Sequence, residues 1–484
     1  MSKKIVFFML IIIFCVGIAP KTFQNDTFFT IACGEQILNE GLQKIDKLTW
    51  HKDLEFTNDR YLFDIIITLI YNKLGFFGIY LFVIIMTVII GLSLFYIYNK
   101  MNNNMILSFL FTISTLYLGR QILAARAQII SIWLFIIENY FIIKLLNSNK
   151  NIYSVLLIFV AILLSNVHAS IFLIYFIYYL PYFAEFLLSR FIKDEGTDRK
   201  IIINSRKNIL KLFITFIITI FAGFCSPLGL APYTSMLKAV NGISLNMISE
   251  LQPMTLVDSL NFMTFIIITL AIIAFTKIKI NLSDAFMLVG MALMAINMNR
   301  TVFYFIFVGS IFIIKMVNDF LEEYNIYEYN MSKKITKITS LVFIVLIVSY
   351  SSINISSKLL DDYVDTLSYP VYACDYINRF IDKDNMRIYN TFNYGSYIEY
   401  KGIKAFIDSR SGMFSEEFND TTVLEDFNNI NGGVKHYRDV FNKYDINYVL
   451  INNGNLISVY IADDEEWNMI YNDDGFSLYE KKNN

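Results

Sequence analysis

The chain has 484 residues, 56% hydrophobic and 17% charged, with a mean hydropathy of +0.49. That is more apolar material than a soluble domain of this length uses for a core, so an ordinary soluble globular protein is excluded. The formal net charge is −2, and the four cysteines (Cys15, Cys33, Cys225, Cys374) lack CxxC or metal-like spacing, so neither a disulfide framework nor a zinc site can be read. Abundant Ile, Phe, Tyr, Asn and Lys with only 6 Pro fits AT-rich bacterial coding.

A helix crosses the hydrocarbon with about 20 mostly apolar residues. Eleven runs qualify as predicted spans, near 5–20, 76–98, 105–119, 127–146, 152–167, 170–188, 211–226, 260–276, 283–297, 301–318 and 336–355. The first is read as an uncleaved anchor; Gly17 and Ala19 would also suit a signal-peptide cut. Residues 61–74 (YLFDIIITLIYNKL) are interrupted by Asp64 and Lys73, which predicts an interfacial helix at the outer surface.

With the N-terminus inside, the cytoplasmic segments hold about 18 basic residues and the outer loops about 10, which satisfies the positive-inside rule and puts the C-terminus outside. The sequence therefore predicts a polytopic α-helical membrane protein of the plasma membrane with two domains. Residues 1–355 form the membrane part, with outer loops 21–60 and 226–258, and residues 356–484 form a small extracytoplasmic α/β domain. Within that tail, MRIYNTFNYGSYIEYKGIKAFIDSR predicts two short strands flanking Gly402, and INYVLINN a third. The tail carries 22 Asp plus Glu against 12 Lys plus Arg, and such an acidic surface disfavours nucleic acid as a partner.

In this topology loop 21–60, Arg120 to Gln128, Asn166 to Ser170, loop 226–258 and Asn297 to Arg300 all fall at the outer face. Ionisable groups at the membrane edge are costly, so their convergence marks a candidate site. Asp26 is placed to act as a base on an acceptor hydroxyl or amide, or to cap the amphipathic helix that begins TFFTIACGEQIL. Asp46 reads as a second acid or as a turn residue, and Glu250 as a further acid or a solvated one. Arg120, Arg126 and Arg300 suit phosphate oxygens, because a guanidinium stays charged and donates in pairs; snorkelling to headgroups is the alternative. Gln128 and His168 fall beside them. A histidine cluster is not available from three histidines, whereas a divalent cation such as Mg or Mn on carboxylates stays open. Asp408 and Arg410 pair with each other or face a cleft, and Tyr394, Tyr397 and Tyr400 supply sugar-stacking surface or sheet core.

In order, these residues resemble the GT-C superfamily, multispanning glycosyltransferases that use polyprenyl-phosphate-linked sugars. The corresponding pieces are Asp26-TFFTIACGEQIL, Asp46-KLTW, NDRYLFDIIITLIYNKLG, RAQIIS, SNVHAS, FCSPLGLAPYTSML…SELQP and NYGSYIEYKGIKAFIDSR. Thr30 stands where a histidine is frequent, Tyr61 and Leu251 replace Trp, and Ala127 replaces Pro; Asp26 stays in register. The resemblance implies an inverting transfer at the outer face, with Asp26 as base, Asp46 and Glu250 as companion acids, and cationic side chains on the departing lipid phosphate. Its implied partners are a polyprenyl-phosphate-linked donor and a glycan, lipid or protein acceptor.

Three other classes compete. A transporter or flippase of lipid-linked glycans predicts internal repeats and midplane polar sites, and neither is visible. An O-antigen-type polymerase or ligase predicts its large loop in mid-chain rather than first. A non-catalytic envelope protein that binds through its acidic tail is the third alternative.

Overall fold

The computed structural model describes residues 3–148, 150–191, 201–203, 208–241, 252–255, 260–324 and 333–482. The chain divides into two compact units. The first is built from Met1–Pro20, Tyr80–Tyr233 and Ile248–Leu360, the second from Lys21–Ile79, Thr234–Met247 and Asp361–Asn484.

The first unit is helical. It contains α1 (Lys3–Ile18), the later part of α3 (Tyr61–Asn102), α4 (Met105–Leu118), α5 (Gln128–Asn147) and α6 (Ile152–Val167). Further helices run over Leu180–Leu188, Ile209–Ile220, Leu260–Phe275, Leu282–Asn297, Ser310–Glu323 and Lys333–Leu360. Among the described residues, five stretches are long and apolar enough to cross a membrane: Tyr61–Asn102, Gln128–Asn147, Ala169–Leu188, Asn299–Glu323 and Leu341–Leu360. Six further apolar helices are shorter. The chain is thus a multi-pass membrane protein.

Packing inside this unit follows membrane rules, with close backbone approach and polar stitches. A Cβ on Gly17 of α1 would come within 2.9 Å of the Ser351 Cα, so the missing side chain lets α1 lie directly on Lys333–Leu360. The buried Tyr98 hydroxyl donates to Ser310 Oγ (2.5 Å) and sits 3.1 Å from Thr115 Oγ1, tying α3, α4 and the helix Ser310–Glu323 together. Strands β1 (Ile201–Ile202) and β2 (Ile280–Asn281) form a short parallel pair.

The second unit combines α2 (Asn25–Glu40), the early part of α3 and the C-terminal segment. Its sheet has the order β3-β4-β6-β5, with β3 Ile388–Tyr389, β4 Tyr448–Asn452, β5 Trp467–Asn472 and β6 Phe476–Lys481. β3 and β4 are parallel, and the other two pairings are antiparallel. The core is Tyr389, Phe406, Phe414, Phe441, Val449, Ile451, Trp467 and Tyr479, joined by Leu54 from the first outer loop.

Several expectations are revised here. Loop 21–60 and segment 61–74, read as parts of the membrane domain, build the second unit with the tail. The reason is that Leu54 enters the core, Trp50 Nε1 donates to the Ile388 carbonyl (2.9 Å) and Thr49 bridges Ala405. The interfacial segment does not end before the next span. It continues as α3, broken by the non-helical backbone of Gly75 (φ 61°). The boundary at 355/356 falls inside the helix Lys333–Leu360. Residues Gly395–Tyr400, expected as strand, form a short helix whose consecutive Tyr397, Ile398 and Glu399 are all buried. A Cβ on Gly395 would strike the Ile407 carbonyl at 1.9 Å, so this turn packs backbone to backbone.

Candidate functional site

In the second unit the polar residues gather around α2. Asp26 lies in its first turn, preceded by Gln24 at the cap position, so Asp26 is not the cap itself. A carboxylate there is stabilised by the positive end of the helix dipole. Contrary to an amphipathic reading, every residue from Thr27 to Gly34 is buried, which encloses the first half of α2 on all sides. Gly34 makes that possible. A Cβ there would lie 2.1 Å from Thr68 Oγ1 and 2.5 Å from the Asp64 carbonyl.

Arg60, just before α3, stands 3.9 Å from Asp26 Oδ2 and 3.9 Å from Asp64 Oδ1. Asn58 Nδ2 donates to Asp64 Oδ2 at 2.8 Å. The Asp26 side chain is 14% exposed, so it combines a loose ion pair with access from outside. The Arg60 guanidinium lies 4.6 Å from the ring centroid of Phe29, and the Arg410 guanidinium lies 5.0 Å from the same ring. Phe29 therefore links the Asp26 cluster to a second, fully enclosed one.

That second cluster centres on Arg410. Its Nε donates to both Asp408 oxygens at 3.0 Å, its Nη2 donates to Glu399 Oε1 at 2.9 Å, and its Nη1 is hydrogen-bonded to Asp46 Oδ1. Asp46 Oδ2 accepts from the Thr49 backbone (2.9 Å) and hydroxyl (2.6 Å). Burial alone would raise the Asp46 pKa, but Arg410 and the Thr49 hydrogen bonds prevail and hold it below the usual range. Glu399 goes the other way. Burial, reinforced by repulsion from Asp408, pushes its carboxyl well above the ordinary value, and its Oε2 has no hydrogen-bond partner among the described residues. Asp46 is thus a structural partner of Arg410 rather than an exposed acid, and Asp408 and Arg410 pair inward.

Of the tyrosines read as a stacking surface or sheet core, Tyr394 and Tyr397 are interior and Tyr400 is partly buried. Tyr394 donates to the Leu450 carbonyl (2.9 Å), Tyr397 packs edge-on against Phe28 (4.9 Å), and the Tyr400 and Tyr71 hydroxyls are 2.5 Å apart.

In the first unit, Arg126 and Gln128 stand at the start of α5 and His168 follows the end of α6. His168 Nδ1 lies 2.9 Å from the hydroxyl of Ser131, one turn into α5. Gln128 is buried, and its Oε1 has no hydrogen-bond partner among the described residues. Arg300 sits in the turn Asn299–Thr301, where the Asn299 N–H donates to the Gln252 carbonyl (3.0 Å). The following Tyr304 packs edge-on against Phe135 of α5 (5.4 Å). Arg126, Gln128 and His168 therefore share one end of the α5–α6 pair. Arg120 differs: its Nη1 donates back to the Tyr117 carbonyl (2.8 Å) and its guanidinium stacks on the Tyr117 ring. Glu250 lies outside the described residues.

Among the described residues no three His, Cys, Asp or Glu side chains are placed to hold a metal ion. Where three carboxylates do converge, the guanidinium of Arg410 already stands between them.

Arg60, Phe29, Glu399 and Ser131 were not among the residues anticipated. Only the Arg60/Asp64 spacing of four, the reach of one helical turn, was visible in advance.

Sequence comparison finds no matching family model and no matching curated protein. The fold does match solved structures. The archaeal oligosaccharyltransferase AglB of Archaeoglobus fulgidus, in complex with an inhibitory peptide and a dolichol-phosphate, superposes with a TM-score of 0.59 at 10% identity, over 93% of this chain and 69% of that one. The chain shares the fold of this oligosaccharyltransferase. An Archaeoglobus fulgidus oligosaccharyltransferase tethered by a disulfide to an acceptor peptide containing the NVT sequon gives a TM-score of 0.58 at 10% identity, with the same coverage.

Proposed function

We propose that this chain is a membrane glycosyltransferase that moves a sugar from a polyprenyl-phosphate-linked donor to an acceptor at the outer face of the bacterial plasma membrane. The observation that carries the reading is Asp26, a partly exposed carboxylate on the first turn of α2 beside Arg60, in a fold shared with lipid-dependent oligosaccharyltransferases. In this reaction the acceptor nitrogen or oxygen attacks the anomeric carbon as the bond from that carbon to the phosphate oxygen breaks. Asp26 takes the acceptor proton, the anomeric centre inverts and polyprenyl phosphate leaves.

Loss of that leaving group requires positive charge at headgroup depth. Arg126 and Arg300 take that role, and His168 and Gln128 orient the phosphate or sugar. Arg410, Asp408 and Asp46 are positioning residues that hold α2, with Glu250 as a further acid from the outer loop. Eleven spans put the N-terminus inside and the C-terminal segment 356–484 outside.

Because the tethered oligosaccharyltransferase carries an acceptor peptide with an NVT sequon, a protein acceptor is the first choice. The test is purified protein incubated with a radiolabelled polyprenyl-phosphate-linked saccharide and either an Asn-x-Thr peptide or extracted envelope glycan. Label in either acceptor supports transfer. Labelled lipid that crosses proteoliposomes without any covalent product would assign the chain to the transporter class instead.

A further inference from the structure

Helix α5, which begins at Gln128 just after Arg126, ends on a second concentration of charge. From Gln128 to Lys144 the chain travels about 24 Å along α5, at about 1.5 Å per residue, which is most of the thickness of the hydrocarbon. At that opposite end a cavity of about 580 Å³ is lined by Lys100, Lys144, Lys315, Asn281, Asp284 and Tyr182. Six elements of the first unit supply these residues, so the cavity belongs to the fold and not to one loop.

The lysines are unequal. Lys315 is paired with Asp284 at 2.7 Å, and Asn281 Nδ2 donates to the same carboxylate at 2.9 Å. Lys100 and Lys144 have no carboxylate partner among the described residues. Each lies over a tyrosine one turn earlier, at 5.9 Å from the Tyr96 centroid and 5.3 Å from the Tyr140 centroid. Three ammonium groups against one carboxylate leave the lining with an excess of positive charge. Its size lies within the range of small-ligand sites, and Ile143 and Phe312 add apolar wall. Basic pockets between membrane helices at a headgroup level take anionic lipid headgroups.

We propose that this cavity binds a phosphate group, carried by an anionic phospholipid headgroup or as the free anion, at the membrane face opposite Arg126. Lys100 and Lys144 supply the charge, and the Lys315–Asp284 pair shapes the wall. The site is separate from the transfer chemistry and does not depend on it.

The test uses the full chain in phosphatidylcholine nanodiscs with and without phosphatidylglycerol, and with inorganic phosphate as a second arm. Lipid retention is read by native mass spectrometry and protection by the thermal midpoint. Wild type should retain phosphatidylglycerol in preference to phosphatidylcholine. Lys100→Gln and Lys144→Gln should each weaken that retention about fivefold, the worth of one lysine near an anionic surface. Lys100→Arg and Lys144→Arg should keep it, which separates charge from loss of fold. Lysine-dependent protection by inorganic phosphate with no preference for phosphatidylglycerol assigns the site to the free anion. Retention unaffected by both Gln substitutions, or weakened equally by Lys150→Gln outside the cavity, overturns the proposal.

Discussion

Asp46 and Arg410, 364 residues apart, are hydrogen-bonded to each other in the interior of the second unit, with Asp408 and Glu399 on the same guanidinium. This contact fixes the first outer loop to the C-terminal segment. Phe29 of α2 lies against both Arg410 and Arg60, and Arg60 in turn pairs with Asp26. The position of the proposed base therefore rests on a residue near the end of the chain.

Removal of Arg410 would strand three enclosed carboxylates. Arg410→Met is expected to destabilise the second unit by about 3–5 kcal/mol, the usual cost of breaking a buried ion pair from one side. Arg410→Lys should recover little, since one ammonium cannot replace a planar fork bonded to three side chains. Denaturant unfolding followed by the fluorescence of Trp50 and Trp467 measures this, and an unchanged midpoint in Arg410→Met would remove the cluster from the account.

Gly34 makes a sharper packing prediction. The atoms facing it include the Asp64 backbone carbonyl, which cannot rotate away. Gly34→Ala should force α2 off α3 and cost about 1–3 kcal/mol, as overpacking does elsewhere. Thr68→Ala added to Gly34→Ala should restore only part of the loss, because the carbonyl remains. Full recovery in the double variant would show that the side chain alone sets the approach.

The acid limb of stability has an identifiable source. Asp426 accepts from Lys443 (2.6 Å), Lys435 (2.9 Å) and Tyr444 (2.9 Å). Burial opposes ionisation, but these partners prevail and lower its pKa to about 2 from 3.8. A carboxyl depressed in the folded state contributes its stability above the unfolded value. That contribution is lost as pH falls from about 4 to about 2. Both lysines are about half exposed, which limits the effect to about 1 kcal/mol. Asp426→Asn should flatten the acid-unfolding curve in that window and leave its shape above pH 5 unchanged.

The sequence shows the parts of this protein that are local or periodic and hides those that are not. Apolar length locates the membrane helices, INYVLINN locates β4, and AFIDSR marks the Asp408–Arg410 pair. GSYIEY misleads because its alternation suits a strand, while the close approach of Gly395 to the Ile407 carbonyl makes it a helix. The membership of residues 21–79 in the second unit could not be read from hydropathy. It depends on Leu54, Trp50 and Asp46, single side chains whose partners lie more than 330 residues away. For the same reason Arg410 could be seen as a turn partner of Asp408 but not as the centre of a four-residue cluster.

The most direct test of the central claim is transfer by Asp26→Asn. The substitution keeps the size of the side chain and removes its basicity, and the ion pair it weakens is a long one, 3.9 Å from Arg60. With a labelled polyprenyl-phosphate-linked donor and a saturating acceptor, the account predicts a fall in transfer rate of about 10²–10⁴-fold with an unchanged thermal midpoint, the scale of a lost general base. Transfer by Asp26→Asn at the wild-type rate would contradict it.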